Sequence, residues 1–154
     1  MVEQTVILIK PDGMKQKVVG KVISRLEEAR LPAPSGAANG GQAGYKLVAA
    51  KLIWLTDEIL NTWYAHHKDK DFFPGLVAFM KETPVLAMVW EGENVVAGVR
   101  EIAGPTDPQK AGKGTIRGDY GTANPRNILH ASDTPESAQK EISLIFKKEE
   151  IFNY

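Results

Sequence analysis

The sequence predicts an α/β protein in which one four-stranded sheet is covered by helices, and three observations carry that expectation. Four apolar stretches have strand character: "TVILI" (5–9), "YKLVAAKLIWL" (45–55), "PVLAMVW" (84–90) and "NILHA" (127–131). The segments between them mostly carry apolar residues at helical spacing. The resulting order, β α β α α β α loop β α, fits a split-βαβ arrangement. With 154 residues the chain is long enough for one sizeable core and short for two, so residues 1–154 are expected to form a single domain.

Each element has its own reason. "TVILI" is a β-branched run closed by "KPDG", which reads as a turn. In residues 18–31, Val19, Val22, Ile23, Leu26 and Ala29 recur at helical spacing with Lys21, Arg25 and Glu28 opposite, an amphipathic helix. "LPAPSGAANGGQAG" (31–44) has no apolar period and too little apolar area to order itself, so a flexible insert is expected. The stretch 45–55 reads as a long strand, with a helix as the alternative because of its Leu and Ala content. Thr56 before "DEIL" is an N-cap with acids in the first turn, opening a helix to about Ala65. "DFFPGLVAFMK" (71–81) suggests another short helix, and "PVLAMVW" is apolar on both faces, as a strand covered on both sides must be. Val95, Val96, Val99 and Ile102 give a helix over 93–103. From Gly104 to Arg126 the chain is dense in Gly, Pro, Thr and Asp, which marks a long functional loop. "NILHA" then leads to "TPESAQKEISLIF", a helix with Thr134 as cap and Pro135 at its first position.

Composition excludes several function classes. Lys+Arg and Asp+Glu are both 19, so no global field draws the protein to nucleic acid or an anionic membrane, and any anion site is local. The absence of cysteine rules out disulfides, thiolate catalysis and Cys-ligated zinc, and fits a reducing compartment. An acid stands near the N-terminus where a signal peptide needs positive charge, and Lys10 and Pro11 cut the first apolar run. No run approaches the roughly 20 apolar residues of a membrane span. A soluble, cytoplasmic protein without membrane or specific nucleic-acid partners is expected.

Chemistry centres on histidine, which serves as metal ligand, base or nucleophile, with a buried hydrogen-bonded histidine as an equal alternative. His66 and His67 are adjacent, and neighbours on a helix do not share a face, so they form no ready metal pair. His130 ends a strand, and the region before it supplies Arg100, Thr106, Arg117 and Asn127. Two arginines, a hydroxyl and an amide beside a histidine suit a phosphate chain, because Arg gives paired donors to phosphate oxygens. "AGKGTIRGD" does not have the Walker A spacing, and no GxGxxG follows a strand, so phosphate would be held by side chains.

"IKPDG" (9–13), "FFPGLV" (72–77), "VLAMVWEG" (85–92), "GTIRGD" (114–119), "NILHASD" (127–133) and "ESAQKEI" (136–142) together resemble the nucleoside diphosphate kinase family, in the same order and at matching spacing. The resemblance spans nearly the whole chain outside 31–44. It implies a ferredoxin-like α/β (α+β) fold, βαββαβ, with a four-stranded antiparallel sheet covered by helices. It also implies ping-pong transfer of the γ-phosphoryl group of a nucleoside triphosphate such as ATP to a nucleoside diphosphate, through a phosphohistidine and with little base selectivity. By matched position His130 is the nucleophile, and Glu141 and Ser132 orient and polarise its ring. Arg100, Thr106 and Arg117 hold phosphates. Lys10 and Asn127 meet the ribose hydroxyls and the transferred group, Phe72 stacks on the base, and Tyr64 packs near the phosphates. The implied cofactor is Mg²⁺, bound mainly through the nucleotide phosphates rather than by protein side chains. The implied assembly is a homo-oligomer, a tetramer or hexamer built from dimers.

Residue types alone leave blander roles open: Phe72 as core, Lys10 as a turn lysine, Tyr64 and Arg100 as surface groups, Glu141 as part of a solvated face with Lys140. Three positions depart from the pattern. Ala131 follows the histidine where glycine is usual, Asp107 adds an acid beside the expected phosphate loop, and Asn124 stands where relatives place an apolar residue against the base. Two other classes compete with the enzyme reading. A silent nucleotide-binding relative would have lost the histidine or an arginine. A histidine phosphocarrier served by a protein donor would not need Lys10, Asn127 and Phe72.

Overall fold

The computed structural model describes residues 1–29 and 44–154. Its strands are β1 (Val2–Ile9), β2 (Lys46–Ile53), β3 (Val85–Glu93) and β4 (Leu129–Ala131). Its helices are α1 (Pro11–Lys15), α2 (Val19–Glu27), α3 (Asp57–Trp63), α4 (Phe73–Met80), α5 (Val95–Ala103), α6 (Ile116–Tyr120) and α7 (Pro135–Ile145). The strands form one sheet in the order β2-β3-β1-β4 with every neighbouring pair antiparallel, the expected ferredoxin-like arrangement.

The unbroken apolar runs of the inner strands follow from cover on both faces. Successive side chains of a strand point to opposite sides of the sheet. Ile7 and Ile9 of β1, with Met88 and Trp90 of β3, enter a core built with Val22 and Leu26 of α2 and Val95, Val96 and Val99 of α5. Val6, Leu8, Val85, Ala87 and Val89 enter a second core with Leu60, Leu76, Phe79, Met80, Ile142 and Ile145 from α3, α4 and α7. Full burial of one such side chain contributes about 1.5–3 kcal/mol.

Caps set the helix starts. Thr56, Thr115 and Thr134 each accept a backbone N–H from three residues ahead, at 3.2, 3.0 and 3.1 Å. The Thr56 helix stops at Trp63 rather than Ala65, and the chain tightens into a 3₁₀ turn over Ala65–His67. "KPDG" is not a simple turn: Pro11 opens α1, a proline being pre-set for a first helical position. The segment 104–126 is not a plain loop either. It holds a 3₁₀ turn at Pro108–Lys110 and the helix α6. Gly118 is required there, because a Cβ would lie 2.0 Å from the Gly112 carbonyl oxygen. The expected insert 31–44 lies, except for Gly44, outside the described residues.

Candidate active site

β4 is three residues long and pairs only with β1, placing His130 opposite Leu8. Cross-strand partners share a face, so the imidazole emerges on the side of α3, α4 and α7. It lines a cavity of about 860 Å³ that also receives Lys10, Tyr64, Phe72, Arg100, Thr106, Arg117, Asn127 and Glu141. Nine of the ten residues assigned to chemistry from sequence therefore meet in one place, and the tenth, Ser132, lies directly behind it.

Glu141, in the second turn of α7, reaches back so that both carboxylate oxygens stand 3.1 Å from His130 Nε2. A carboxylate only accepts, so Nε2 carries the hydrogen and the lone pair of the neutral ring resides on Nδ1. Ser132 is fully buried and does not touch the ring. Its Oγ donates to Glu141 Oε2 at 2.5 Å and accepts from Val6 N at 3.1 Å, tying the carboxylate to the central strand.

The cations divide into buried and exposed. Arg117 is 8% exposed and spends all three guanidinium nitrogens on backbone carbonyls, those of Asn127, Gly104 and Leu129 at 3.2, 2.9 and 2.8 Å. Burial, with the Arg100 charge adding, lowers its pKa to about 10. Arg100 stands in the open and pairs with Asp133, 2.5 Å from Nη1 to Oδ1. Lys10 is buried, donating to Asn127 Oδ1 at 2.7 Å and to the Pro125 carbonyl at 3.2 Å. Asn127 in turn donates to the Thr106 carbonyl at 2.8 Å, so its amide links Lys10 to the loop after α5 and has one N–H left to offer. Tyr64 is raised to about 12 by burial and by the Glu141 carboxylate, so it remains a neutral phenol.

Phe72 is 53% exposed at the cavity mouth, which overturns the core reading that its residue type favours. Its ring meets His67 edge to face, with centroids 5.2 Å apart. His66 and His67 do come together, at 3.9 Å between rings, within the 3₁₀ turn Ala65–His67. Among the described residues no group of three or more His, Asp or Glu side chains gathers as a metal site. Asp107 turns its carboxylate to Gln109 N at 3.0 Å, away from the cavity, whereas exposed Asn124 does line it.

Sequence reasoning missed Asp12, Trp63 and Asp133. Ile128 is a buried β-branched residue at φ 75°, a conformation such residues avoid, and it immediately precedes β4. Asp12 Oδ2 accepts Ile128 N at 2.9 Å and the Ile128 carbonyl accepts Lys10 N at 2.8 Å, so α1 holds the strained residue that aims the histidine strand. Trp63 packs edge to face on His130 with centroids 4.9 Å apart. Asp133 lies inside the quoted "NILHASD", so the motif itself contained that signal.

A family model for nucleoside diphosphate kinase matches residues 38–151. A nucleoside diphosphate kinase of Carboxydothermus hydrogenoformans is 47% identical over 152 residues, covering 99% of this chain and 93% of its own. The chain belongs to the nucleoside diphosphate kinase family. The nucleoside diphosphate kinase of Archaeoglobus fulgidus is 43% identical, with 99% and 91% covered. Among solved structures, the halophilic nucleoside diphosphate kinase of Halobacterium salinarum in complex with CDP superposes with a TM-score of 0.88 at 37% identity, over 100% of this chain and 93% of that one. The Aquifex aeolicus nucleoside diphosphate kinase gives 0.84 at 39% identity, over 99% and 100%. The family is one of phosphotransferases, which agrees with a cavity whose basic side chains surround a histidine.

Proposed function

We propose that His130 Nδ1 is the phosphoryl acceptor in a two-step transfer from a nucleoside triphosphate to a nucleoside diphosphate. The observation that carries this reading is the Glu141 contact to Nε2, which leaves a lone pair on Nδ1. In the first half-reaction that lone pair attacks the γ-phosphorus. The N–P bond forms as the bond to the β–γ bridging oxygen breaks, and the diphosphate leaves with the electron pair. Glu141 offsets the positive charge that builds on the ring. A second diphosphate then attacks the phosphohistidine with its terminal β-phosphate oxygen, forming the new P–O bond while the N–P electrons return to Nδ1.

The remaining side chains bind and orient. Arg100, Thr106 and the unused N–H groups of Arg117 hold phosphate oxygens in fixed positions while charge shifts during transfer. Lys10, placed by Asn127, meets the transferred group and the ribose hydroxyls. Phe72 offers a ring face at the mouth for the base, a contact that reads no hydrogen-bonding edge, and the CDP complex of the Halobacterium relative supports a nucleoside diphosphate as ligand. The cavity carboxylates are already engaged, Asp133 by Arg100 and Glu141 by His130 and Ser132, which fits Mg²⁺ carried in on the nucleotide phosphates. Bound in this way, Mg²⁺ would supply charge neutralisation on the phosphates.

Incubation with γ-labelled ATP and Mg²⁺ tests the reading. Wild type should acquire acid-labile, base-stable label and pass it to added diphosphates, whereas His130→Ala should do neither while its circular dichroism is unchanged. Label that persists in His130→Ala would overturn it.

The same reading takes residues 1–154 as one domain and the protein as cytoplasmic and homo-oligomeric, a tetramer or hexamer built from dimers. No helix among the described residues is long and apolar enough to cross a membrane. Leu52 and Trp54, 62% and 61% exposed at the β2 edge, supply apolar area for assembly.

A further inference from the structure

The Glu141 contact leaves one freedom of the His130 ring unaccounted for. Rotation of an imidazole about its Cβ–Cγ bond is broad and roughly two-fold, so packing rather than torsion sets the ring plane. The two carboxylate oxygens are equidistant from Nε2 and give the ring no preferred tilt between them. The flat surface beside the ring is Trp63, whose plane stands at 78° to the imidazole with centroids 4.9 Å apart, the edge-to-face geometry aromatic pairs favour.

Trp63 is itself braced. It is the last residue of α3 and packs into the core that holds Leu60 and Phe79. The crevice beneath it, closed by Leu8, Leu55, Leu60, Tyr64 and Met80, has no volume open to water. Leu8 is also the β1 residue directly opposite His130. The indole is half-buried at the wall of the same cavity, held between the core and the histidine, so moving it off the core would open a void behind it.

We propose that Trp63 is a positioning residue that fixes the plane of the His130 imidazole, so that Nδ1 faces the incoming phosphorus and Nε2 stays with Glu141. This rests on His130 as the nucleophile, and the two ideas fail separately: label persisting in His130→Ala would remove the nucleophile reading, whereas the Trp63 variants test only alignment. A tryptophan that merely fills the end of α3 would affect stability and leave the site of phosphorylation unchanged.

The test compares Trp63→Leu, which keeps an apolar side chain without a ring, with Trp63→Phe, which keeps a ring. Steady-state kcat and KM, and the phosphohistidine isomer read by ³¹P NMR, are measured for both. Trp63→Leu should lose about tenfold in kcat with KM within twofold, a misalignment smaller than a full ångström. It should also carry part of its phosphate on Nε2, and Trp63→Phe should restore both properties. Wild-type kcat in Trp63→Leu, a loss confined to KM, phosphate on Nδ1 alone, or failure of Trp63→Phe to restore would each overturn the proposal.

Discussion

Glu141 takes His130 by Nε2 alone, with both carboxylate oxygens 3.1 Å away, and Ser132 closes on the same carboxylate at 2.5 Å. Orientation and charge thus come from one side chain in the middle of a helix. Glu141→Gln keeps the shape, removes the charge and lets the amide present a donor to Nε2, which favours the wrong tautomer. Its rate of His130 phosphorylation in single-turnover labelling should fall by about 10- to 100-fold or more, by analogy with the loss of a carboxylate that orients a metal-ligating histidine. Ser132→Ala should lose less, because the Glu141 contact to the ring survives. Equal losses in the two variants would place the main effect on the buried strand contact.

Lys10 should give stability and activity opposite slopes with pH. Burial, then the Arg117 charge, pull its ammonium from 10.5 to about 8, with Asp12 opposing. Below pH 8 the group is charged in both folded and unfolded chains. Between about pH 8 and 10.5 the unfolded chain keeps the proton and the folded chain releases it, so stability rises across that window, by about 3 kcal/mol in total. Urea unfolding of wild type and Lys10→Met should show the difference moving toward wild type by that amount over the same window. Activity runs the other way. In the proposed transfer the ammonium is the form that would meet phosphate, so kcat/KM should fall above about pH 8, and a profile flat to about pH 10 would remove Lys10 from phosphate contact.

Arg117 joins the scaffold to the site, so its loss should appear in two measurements. Arg117→Ala leaves the carbonyls of Gly104, Asn127 and Leu129 without a charged donor and should cost about 2–4 kcal/mol in thermal or urea unfolding. It should also lower kcat by on the order of 10² or more, as loss of one preorganised donor does. Arg117→Lys keeps the charge but cannot span three carbonyls, and should recover little of either. A variant that is destabilised yet turns over within twofold of wild type would assign Arg117 to the scaffold alone.

Phe72 presents a ring face rather than a hydrogen-bonding edge, so the enzyme should accept GDP, CDP, UDP and TDP with ATP as donor. Phe72→Ala should raise KM for each acceptor by about 10- to 100-fold, matching the loss of one stacking contact. His67→Ala should do the same more weakly, because the His67 edge steadies the Phe72 ring at 5.2 Å. Selectivity among the four bases above roughly 10³ would require polar readout of the base.

The ends of the Gly/Ala/Pro-rich segment are tied to each other, Gly44 N donating to the Ala29 carbonyl at 2.7 Å and Tyr45 N to that of Leu26 at 3.0 Å. No residue assigned to chemistry falls between them. Replacing residues 33–43 by a short turn should therefore leave turnover per site within about twofold, since closure entropy changes slowly with loop length. Steady-state kinetics with light scattering checks this, and a large fall in turnover at unchanged oligomer size would place the segment at the nucleotide site.

By itself the sequence determined the strands, most helices and the family. Unbroken apolar runs need two covered faces, Thr56 and Thr134 mark helix starts locally, and six motifs in order are too specific to be coincidental. These signals are legible because they depend on neighbours a few residues apart. Tertiary structure alone decided the rest. "KPDG" became a helix whose Asp12 is used 116 residues later at Ile128, and Gly118 let α6 fold against Gly112 where composition read as loop. Arg117, expected from the motif to hold phosphate, also ties three backbone carbonyls together, and Phe72 went to the cavity mouth instead of the core. Trp63 came to rest on His130 although one belongs to α3 and the other to β4. Each of these depends on where distant elements meet, and periodicity records only which face of its own element a residue occupies.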